Sequence, residues 1–385
     1  MAWLDVHILQ TVPPSNINRD DAGSPKTAYY GGVRRARVSS QSWKRAVRMA
    51  FRDDPATSAE AGRRTRRLPQ VIADQLRDRS PALAEHADMI GMIAAAAAFK
   101  VSRGKGDGRP ATEYLLFLGE AQTGRIVEAL ATKADELAAA GGDEKKLEQV
   151  IGGLGLDRIG ITGHPGAVAL FGRMIADAPE KNVDAACQVA HAISTHEVID
   201  QFDYFTAVDD EAQEADEKGA GMIGSIEFNS ATLYRYATVD LRELAQNLDG
   251  DRDRTLDLAI AFARAFATSM PTGKANTFAN HTRPELVLLS VRDDQPVSLV
   301  GAFERPVRPL DGSGYMAESA ACLLTCLKEQ DEVYGTAPRL AVAAYTASLA
   351  EAISQIKSGA ELPPRETLPA ALQRARAELD TLLPA

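Results

Sequence analysis

Between Arg34 and Arg52 the chain carries seven basic side chains and no acid. Such a stretch must fold with its cations at the surface, because an unpaired charge is too costly to bury. Val33 to Val38 reads as a short strand with Arg34, Arg35 and Arg37 near its solvent side. Ser39 or Ser40 then serves as an N-cap. A helix from Gln41 to Phe51 puts Trp43, Val47 and Ala50 on one face and Lys44, Arg45 and Arg48 on the others. Helix N-terminal amides beside clustered cations make a phosphate site. The competing reading is a solvated helix face, but surface helices usually interleave both signs.

The rest of the chain has the opposite sign. Residues 1–52 carry a net +6, whereas the whole 385-residue chain carries 43 Lys plus Arg, 53 Asp plus Glu and a net charge of -10. Indiscriminate binding of polyanions is therefore excluded, and a confined cationic groove is left. The longest apolar run, Met89 to Phe99, is well short of the roughly 20 residues a bilayer needs. The N-terminus has no basic n-region. Three cysteines do not make a disulfide scaffold and fit a reducing compartment. The expected setting is a soluble, cytoplasmic one.

Strands and helices alternate without a dinucleotide fingerprint, which points to an α+β fold. Leu4, Val6 and Ile8 alternate with Asp5 and His7 as in a half-buried strand. Residues 55–150 read as Ala-rich helices broken by the loop Gly104 to Pro110. Further helices are expected over Asp184 to His196, Thr255 to Met270, Tyr315 to Val333, Arg339 to Ile356 and the segment after Pro364. Strands are expected over Ile226 to Val239 and Glu285 to Val291. Asp209 to Glu217 holds six acids ahead of Lys218 and several glycines, and reads as a loop or hairpin tip.

The catalytic signals are weak. His191 and His196 are five apart, and Cys322 and Cys326 lie among apolar residues at helical spacing, so both pairs read as structural. Met270 to Thr277 imitates the tail of a P-loop but lacks the first glycine and the magnesium-binding hydroxyl, which leaves Lys274 as a loop cation near a phosphate backbone. Asp20 and Asp21 are two adjacent carboxylates in a turn, a pattern that more often caps amides or pairs with arginines than holds metal.

Asn18-Arg19-Asp20-Asp21, followed by the run from Gly31-Gly32 to Lys44-Arg45, resembles the CasC family, the crRNA-binding backbone subunit of the type I-E CRISPR Cascade complex. Gly172-Arg173-Met174, His191 to His196, Phe205 to Asp210, Glu227-Phe228 and Tyr234 to Ala237 continue the resemblance in order. It implies an RNA-recognition-motif-like (ferredoxin-like) palm with a helical fingers insertion and a β-hairpin thumb. The corresponding segments are palm 1–59, fingers 60–185, a palm helix 186–197, thumb 198–228, and palm with C-terminal helices 229–385. It implies a non-catalytic subunit, with no cofactor and no metal, polymerising head to tail along crRNA in about six copies. Its further partners would be target DNA and the large, small, 5′-end cap and crRNA-processing subunits. By match to the motifs, crRNA contact is carried onto Arg19, Lys26, Ser39, Gln41, Lys44, Arg45 and Arg48. Met174 would face a displaced nucleotide. Tyr204, Phe205, Thr206 and Val208 would lie on the thumb strand, whose aromatic side chains wedge between bases. Departures are Val33, where a basic residue is expected, and the acidic thumb tip, which leaves Lys218 and its glycines as the better candidates for touching target DNA. The alternative is a metal-dependent RNA endonuclease using Asp20 or Asp21, as in related CRISPR backbone subunits.

Overall fold

The computed structural model describes residues 2–103, 108–207, 222–308, 314–356 and 361–383. The chain divides into two compact units, one from Met1–Val47, Gln188–Leu241 and Ala259–Ala385, the other from Arg48–Cys187 and Arg242–Leu258. Both helices and strands are abundant, as expected of an α+β protein.

The first unit is built on a ten-stranded sheet. Its centre is the N-terminal strand β1 (Trp3–Ser15), flanked by the strands Met222–Asp240 and Leu286–Arg292, both antiparallel to it. Beyond the first of these neighbours come Ala192–Ser194, β3 (Val33–Val38) and β2 (Thr27–Tyr30). Gly31 and Gly32, both at positive φ, make the two-residue turn from β2 to β3. A Cβ on Gly31 would fall 1.6 Å from the Glu304 carbonyl oxygen, so glycine is required there.

A central strand buries both faces, and this corrects the half-buried reading of β1. Leu4, Val6 and Ile8 are fully buried on one side, and Asp5 and His7 are buried on the other. The Asp5 carboxylate accepts from Tyr236 Oη (2.9 Å) and Val297 N (3.0 Å). His7 Nδ1 lies 3.0 Å from Tyr234 Oη, which also accepts from Leu299 N. Burial pushes the Asp5 carboxyl from 3.8 up to about 6, with hydrogen bonds and Arg292 opposing, and burial together with Arg292 pushes His7 from 6.5 down to about 3. As pH falls from about 6 to 4, folded Asp5 takes a proton that the unfolded chain does not yet bind, which stabilises. Over the same interval unfolded His7 is protonated and folded His7 is not, which destabilises, so the two contributions offset. Asp5→Asn removes the first. The variant is expected to lose stability relative to the parent at up to ~1.4 kcal/mol per pH unit in that window. Thermal melts from pH 7 to 4 check this, and parallel Tm curves would contradict it.

Arg35, expected near solvent, is fully buried. Its guanidinium donates to the carbonyls of Tyr30 (3.2 Å), Ser194 (3.0 Å) and Phe303 (2.7 Å), tying the hairpin to the sheet and to the segment after Leu299. Two helix expectations fail where sheet partners compete. The region 184–196, including the expected palm helix 186–197, forms the short strands Cys187–Val189 and Ala192–Ser194, the latter paired with both β3 and Met222–Asp240. Arg339 to Ile356 is strand Leu340–Tyr345, paired with Leu286–Arg292, followed by helix Ala347–Ser354 capped by Thr346. The helices Arg252–Thr268, Met316–Tyr334 and Leu368–Leu382 lie close to the expected positions.

The second unit is mainly helical. It begins within α1 (Ser40–Asp53) and continues to β4 (Arg63–Thr65), paired with Leu116–Leu118, and α2 (Leu68–Arg79). Leu68, Ile72 and Leu76 of α2 pack with Ile90 and Ala94 of helix Ala87–Ala98 in an apolar core. Gly91 allows that contact, since a Cβ there would lie 2.5 Å from the Pro69 carbonyl oxygen. Glu60 grips Arg254 through both carboxylate oxygens, at 2.9 and 2.7 Å.

Candidate nucleic-acid interface

The first element of the site is the start of α1. Ser39 is the residue whose carbonyl accepts the first helical bonds, from Ser42 and Trp43. Its own amide donates to Asn18 Oδ1 at 2.8 Å, so the 16–26 turn is fastened to the helix entrance. Lys26 N donates to the Asn18 carbonyl and Arg37 N to the Lys26 carbonyl. These bonds place Lys26 and buried Ser39 beside one another, with exposed Arg19 on the same turn. The first turn of α1 has no acid, so nothing offsets the positive end of its dipole.

Along α1 the buried side is Trp43, Val47 and Phe51. Gln41, Lys44, Arg45 and Arg48 recur at i, i+3, i+4 and i+7, which is one stripe along the helix about 10 Å long. Lys274 joins this region from another loop. It sits at φ 51 in the left-handed region. The adjacent Gly273 passes so close to the turn that a Cβ would fall 2.3 Å from the Ile17 carbonyl oxygen. Gly273→Ala is therefore expected to push Lys274 away from the 16–18 turn with little loss of secondary structure; a far-UV spectrum beside limited proteolysis of the 270–280 loop checks it.

Not every cation of the basic run is available. Arg34 pairs with the poorly exposed Asp200 at 2.7 Å, Arg35 is internal, and Arg37 donates to the Thr27 carbonyl and lies 3.1 Å from His191 Nδ1. Burial and the neighbouring cations Arg37 and Lys26 lower the His191 pKa and favour its neutral form. The cationic character therefore rests on α1 and its entrance turn.

A second, separate feature lies in the other unit. Arg173 is buried and donates to the carbonyls of Phe117 and Lys181 and, through a short bond, Gly160. Burial lowers its pKa to about 10. Gly172, at φ 74, leaves no room for a Cβ against the Val183 carbonyl. Anchored this way, the chain turns the next side chain outward, and Met174 is 82% exposed. An apolar thioether held in solvent by a buried cation is poised for an apolar ligand surface.

The third element is the antiparallel pair of Gln201–Ala207 with the first part of Met222–Asp240, in the register Gln201↔Phe228 to Ala207↔Met222. Strand alternation separates the expected wedge residues. Phe205 sits opposite Gly224, and its ring covers that glycine at 2.5 Å from where a Cβ would be. Phe205 thus packs within the hairpin. Tyr204 is on the opposite face, 65% exposed, and shares that face with Phe202, 68% exposed. Thr206 follows on the strand, and Val208, the acidic stretch and Lys218 lie outside the described residues. Phe202 is missing from the sequence-based set, although counting alternate residues back from Tyr204 reveals it.

Asp20 Oδ1 accepts from Ala22 N (2.9 Å) and Ser24 N (3.0 Å), so it shapes the turn. Among the described residues no group of three or more His, Cys, Asp or Glu side chains is placed to hold a metal ion, and no helix is long and apolar enough to cross a membrane. His196 stacks on Tyr315 at 3.6 Å and accepts from Thr232 N through Nε2. Cys322 and Cys326 lie on helix Met316–Tyr334 beside the apolar core, and burial raises both thiols.

The model of the CT1975-like protein family matches residues 4–373. None of the curated proteins compared with the chain matches it. Two solved structures resemble it over nearly its whole length. A chain described as "CRISPR RNA-guided surveillance complex, pre-nicking" is 32% identical with a TM-score of 0.80, the match covering 98% of this chain and 100% of that one. Another, described as "CRISPR RNA-guided surveillance complex", is 28% identical with a TM-score of 0.70, covering 97% and 99%.

Proposed function

The chain belongs to the CT1975-like protein family, and we propose that it is the non-catalytic crRNA-binding backbone subunit of a type I-E CRISPR surveillance complex. Its similarity to chains of RNA-guided surveillance complexes supports that setting. The observation that carries the reading is the α1 stripe of Gln41, Lys44, Arg45 and Arg48, which starts at a helix N-terminus free of acids and is joined by Lys26 and Lys274. A guide-holding subunit must accept any guide sequence. It therefore grips phosphates and ribose and leaves base edges free for the target strand. The stripe supplies cations and an amide-rich helix end, and has no aromatic platform.

In this reading the ten-stranded sheet contains an RNA-recognition-motif-like palm, the helical unit is the fingers, and the hairpin of Gln201–Ala207 is the thumb. Copies stack head to tail along one crRNA, and the exposed Tyr204 and Phe202 meet bases where the strand is interrupted. The complex acts in the cytoplasm with target DNA and the other subunits named above. The endonuclease reading is weaker, because Asp20 commits one carboxylate oxygen, Oδ1, to two backbone amides of its own turn.

The test is to purify the tagged chain from cells expressing a CRISPR array and the partner subunits, and to sequence the RNA that accompanies it. Guides of uniform length in a multi-subunit particle are expected. An RNA-free monomer, or a heterogeneous cellular RNA population, would overturn the reading. Tyr204→Ala is expected to shorten guide protection in a nuclease footprint while leaving the hairpin folded, whereas Phe205→Ala loosens the hairpin itself.

A further inference from the structure

Along β1 the side chains of Leu4, Val6, Ile8 and Val12 share one buried, apolar face. Gln10 falls on that face by alternation and is fully buried with them. An amide in an apolar layer is costly unless its polar atoms are bonded. Here both ends are bonded. Gln10 Oε1 accepts from Arg235 Nη1 at 2.6 Å, and the Arg235 guanidinium lies 3.8 Å over the Trp43 ring of α1. Arginine only donates, so this bond fixes which end of the amide is oxygen. Gln10 Nε2 points the other way. It donates to the Thr282 carbonyl at 2.9 Å and to the Met270 thioether sulfur at 3.2 Å, with Thr282 Oγ1 at 3.1 Å.

Met270 and Thr282 are the two ends of a loop. Thr282 N reaches the same sulfur at 3.5 Å, and Thr282 Oγ1 donates to the Thr11 carbonyl at 2.8 Å, so the neck is tied to itself and to β1. Beyond the neck the loop carries Gly273, pressed against Ile17, then Lys274, then the short helix Ala275–Phe278. The Phe278 ring packs on Phe228 at 5.8 Å. The turn that Gly273 touches is the one whose Asn18 fastens the entrance of α1. One buried amide therefore reaches both supports of the cationic surface: the stacked cation under α1 and the neck of the Lys274 loop.

We propose that Gln10 is a positioning residue that holds the Lys274 loop and α1 at a fixed spacing, so that their cations meet phosphates of one strand. The inference rests on the guide-binding reading and adds the residue that sets its geometry. A leucine at this position would fill the layer without the desolvation cost of an amide, and would bond neither support.

Gln10→Glu separates the two bonds. A carboxylate still accepts from Arg235, but it has no N–H for Met270 or Thr282. Hydrogen exchange read by mass spectrometry compares the full-length parent, Gln10→Glu and Met270→Leu, each washed free of RNA in high salt. Gln10→Glu is expected to exchange the amides of residues 271–281 about 10-fold faster, with α1 exchanging as in the parent and Tm within about 3 °C of it. Met270→Leu keeps volume and removes only the sulfur. It is expected to give a smaller rise in the same segment, and it decides the matter if Gln10→Glu does not fold. The same proteins are then titrated with labelled guide RNA at several salt concentrations. Gln10→Glu is expected to bind about 3- to 10-fold more weakly, with the slope of log K against log salt reduced by about 0.7, the loss of one contact. Lys274→Ala reduces the parent's slope by the same amount and that of Gln10→Glu no further. A purely structural role would instead lower Tm and leave Lys274→Ala its full effect in the Gln10→Glu protein. That result would overturn the proposal, as would parental exchange at 271–281 in both variants. A parent that binds no guide would defeat the guide reading alone: faster loop exchange in Gln10→Glu would still show Gln10 setting the loop, and unchanged exchange would sink it.

Discussion

A protein with Lys44, Arg45 and Arg48 all changed to alanine is expected to lose its guide RNA. The three side chains share one stripe of α1 that flanks the buried face of Trp43, Val47 and Phe51. Their removal subtracts about three phosphate contacts. Each charged hydrogen bond contributes about 1 kcal/mol or more, so affinity falls by about two orders of magnitude. The dependence on salt weakens in step, by about 0.7 per contact for a single strand, or about 2 in slope. Fold stability is expected to fall modestly, because Arg48→Ala removes the guanidinium 5.7 Å over the buried Phe117 ring, while alanine is a better helix former and Trp43, Val47 and Phe51 stay in place. Co-purified RNA, titrations at three salt concentrations and a thermal melt measure the three quantities. A variant that still protects a full complement of guide would remove α1 from the RNA path.

The second large effect is expected at Arg235, on the strand Met222–Asp240. This guanidinium is fully buried and has no carboxylate partner among the described residues. It lies 3.8 Å over the Trp43 ring and 4.6 Å over the Phe266 ring, and donates to Gln10 Oε1 at 2.6 Å and to the Phe266 carbonyl. Burial lowers its pKa to about 9, which still leaves it charged at neutral pH. The two aromatic faces and two oxygens stand in for the missing counter-ion. Arg235→Ala opens a cavity beneath Trp43 and strands two acceptors. A cost of about 3–5 kcal/mol is expected, a fall in Tm of about 10 °C or more, together with weakened RNA binding because α1 rests on that indole. Arg235→Met refills the space under the rings and is expected to recover about half of the loss. An alanine variant melting within about 2 °C of the parent would show that the stacked cation contributes nothing net.

Sequence reasoning placed the α1 helix because its signal is local. Charge, cap and apolar period all fall within twenty residues, and a helix carries its own hydrogen bonds. The same reasoning placed Arg35 near solvent and a helix at 184–196, because both depend on remote partners. Arg35 is drawn inside by the carbonyls of Ser194 and Phe303. Ala192–Ser194 becomes a strand because β3 and Met222–Asp240 offer it two edges. Asp5 and His7 look like a solvent face until Tyr234, Tyr236 and the 297–299 segment supply polar partners. Phe205 was legible as a strand residue, but its packing over Gly224 follows only from register.

The position of β1 also sets a timetable. β1 leaves the ribosome long before its partners, residues 229–240 and 286–292. More than two hundred residues separate it from the nearer partner, which at 5–20 residues per second is a wait of roughly 10–40 s. Throughout that interval an apolar ribbon with two open edges has nothing of its own chain to pair with, and is the segment most exposed to self-association. Slowing translation upstream of residue 229 should therefore raise aggregation, while a chaperone that shields extended apolar segments should rescue yield more than any substitution on the surface.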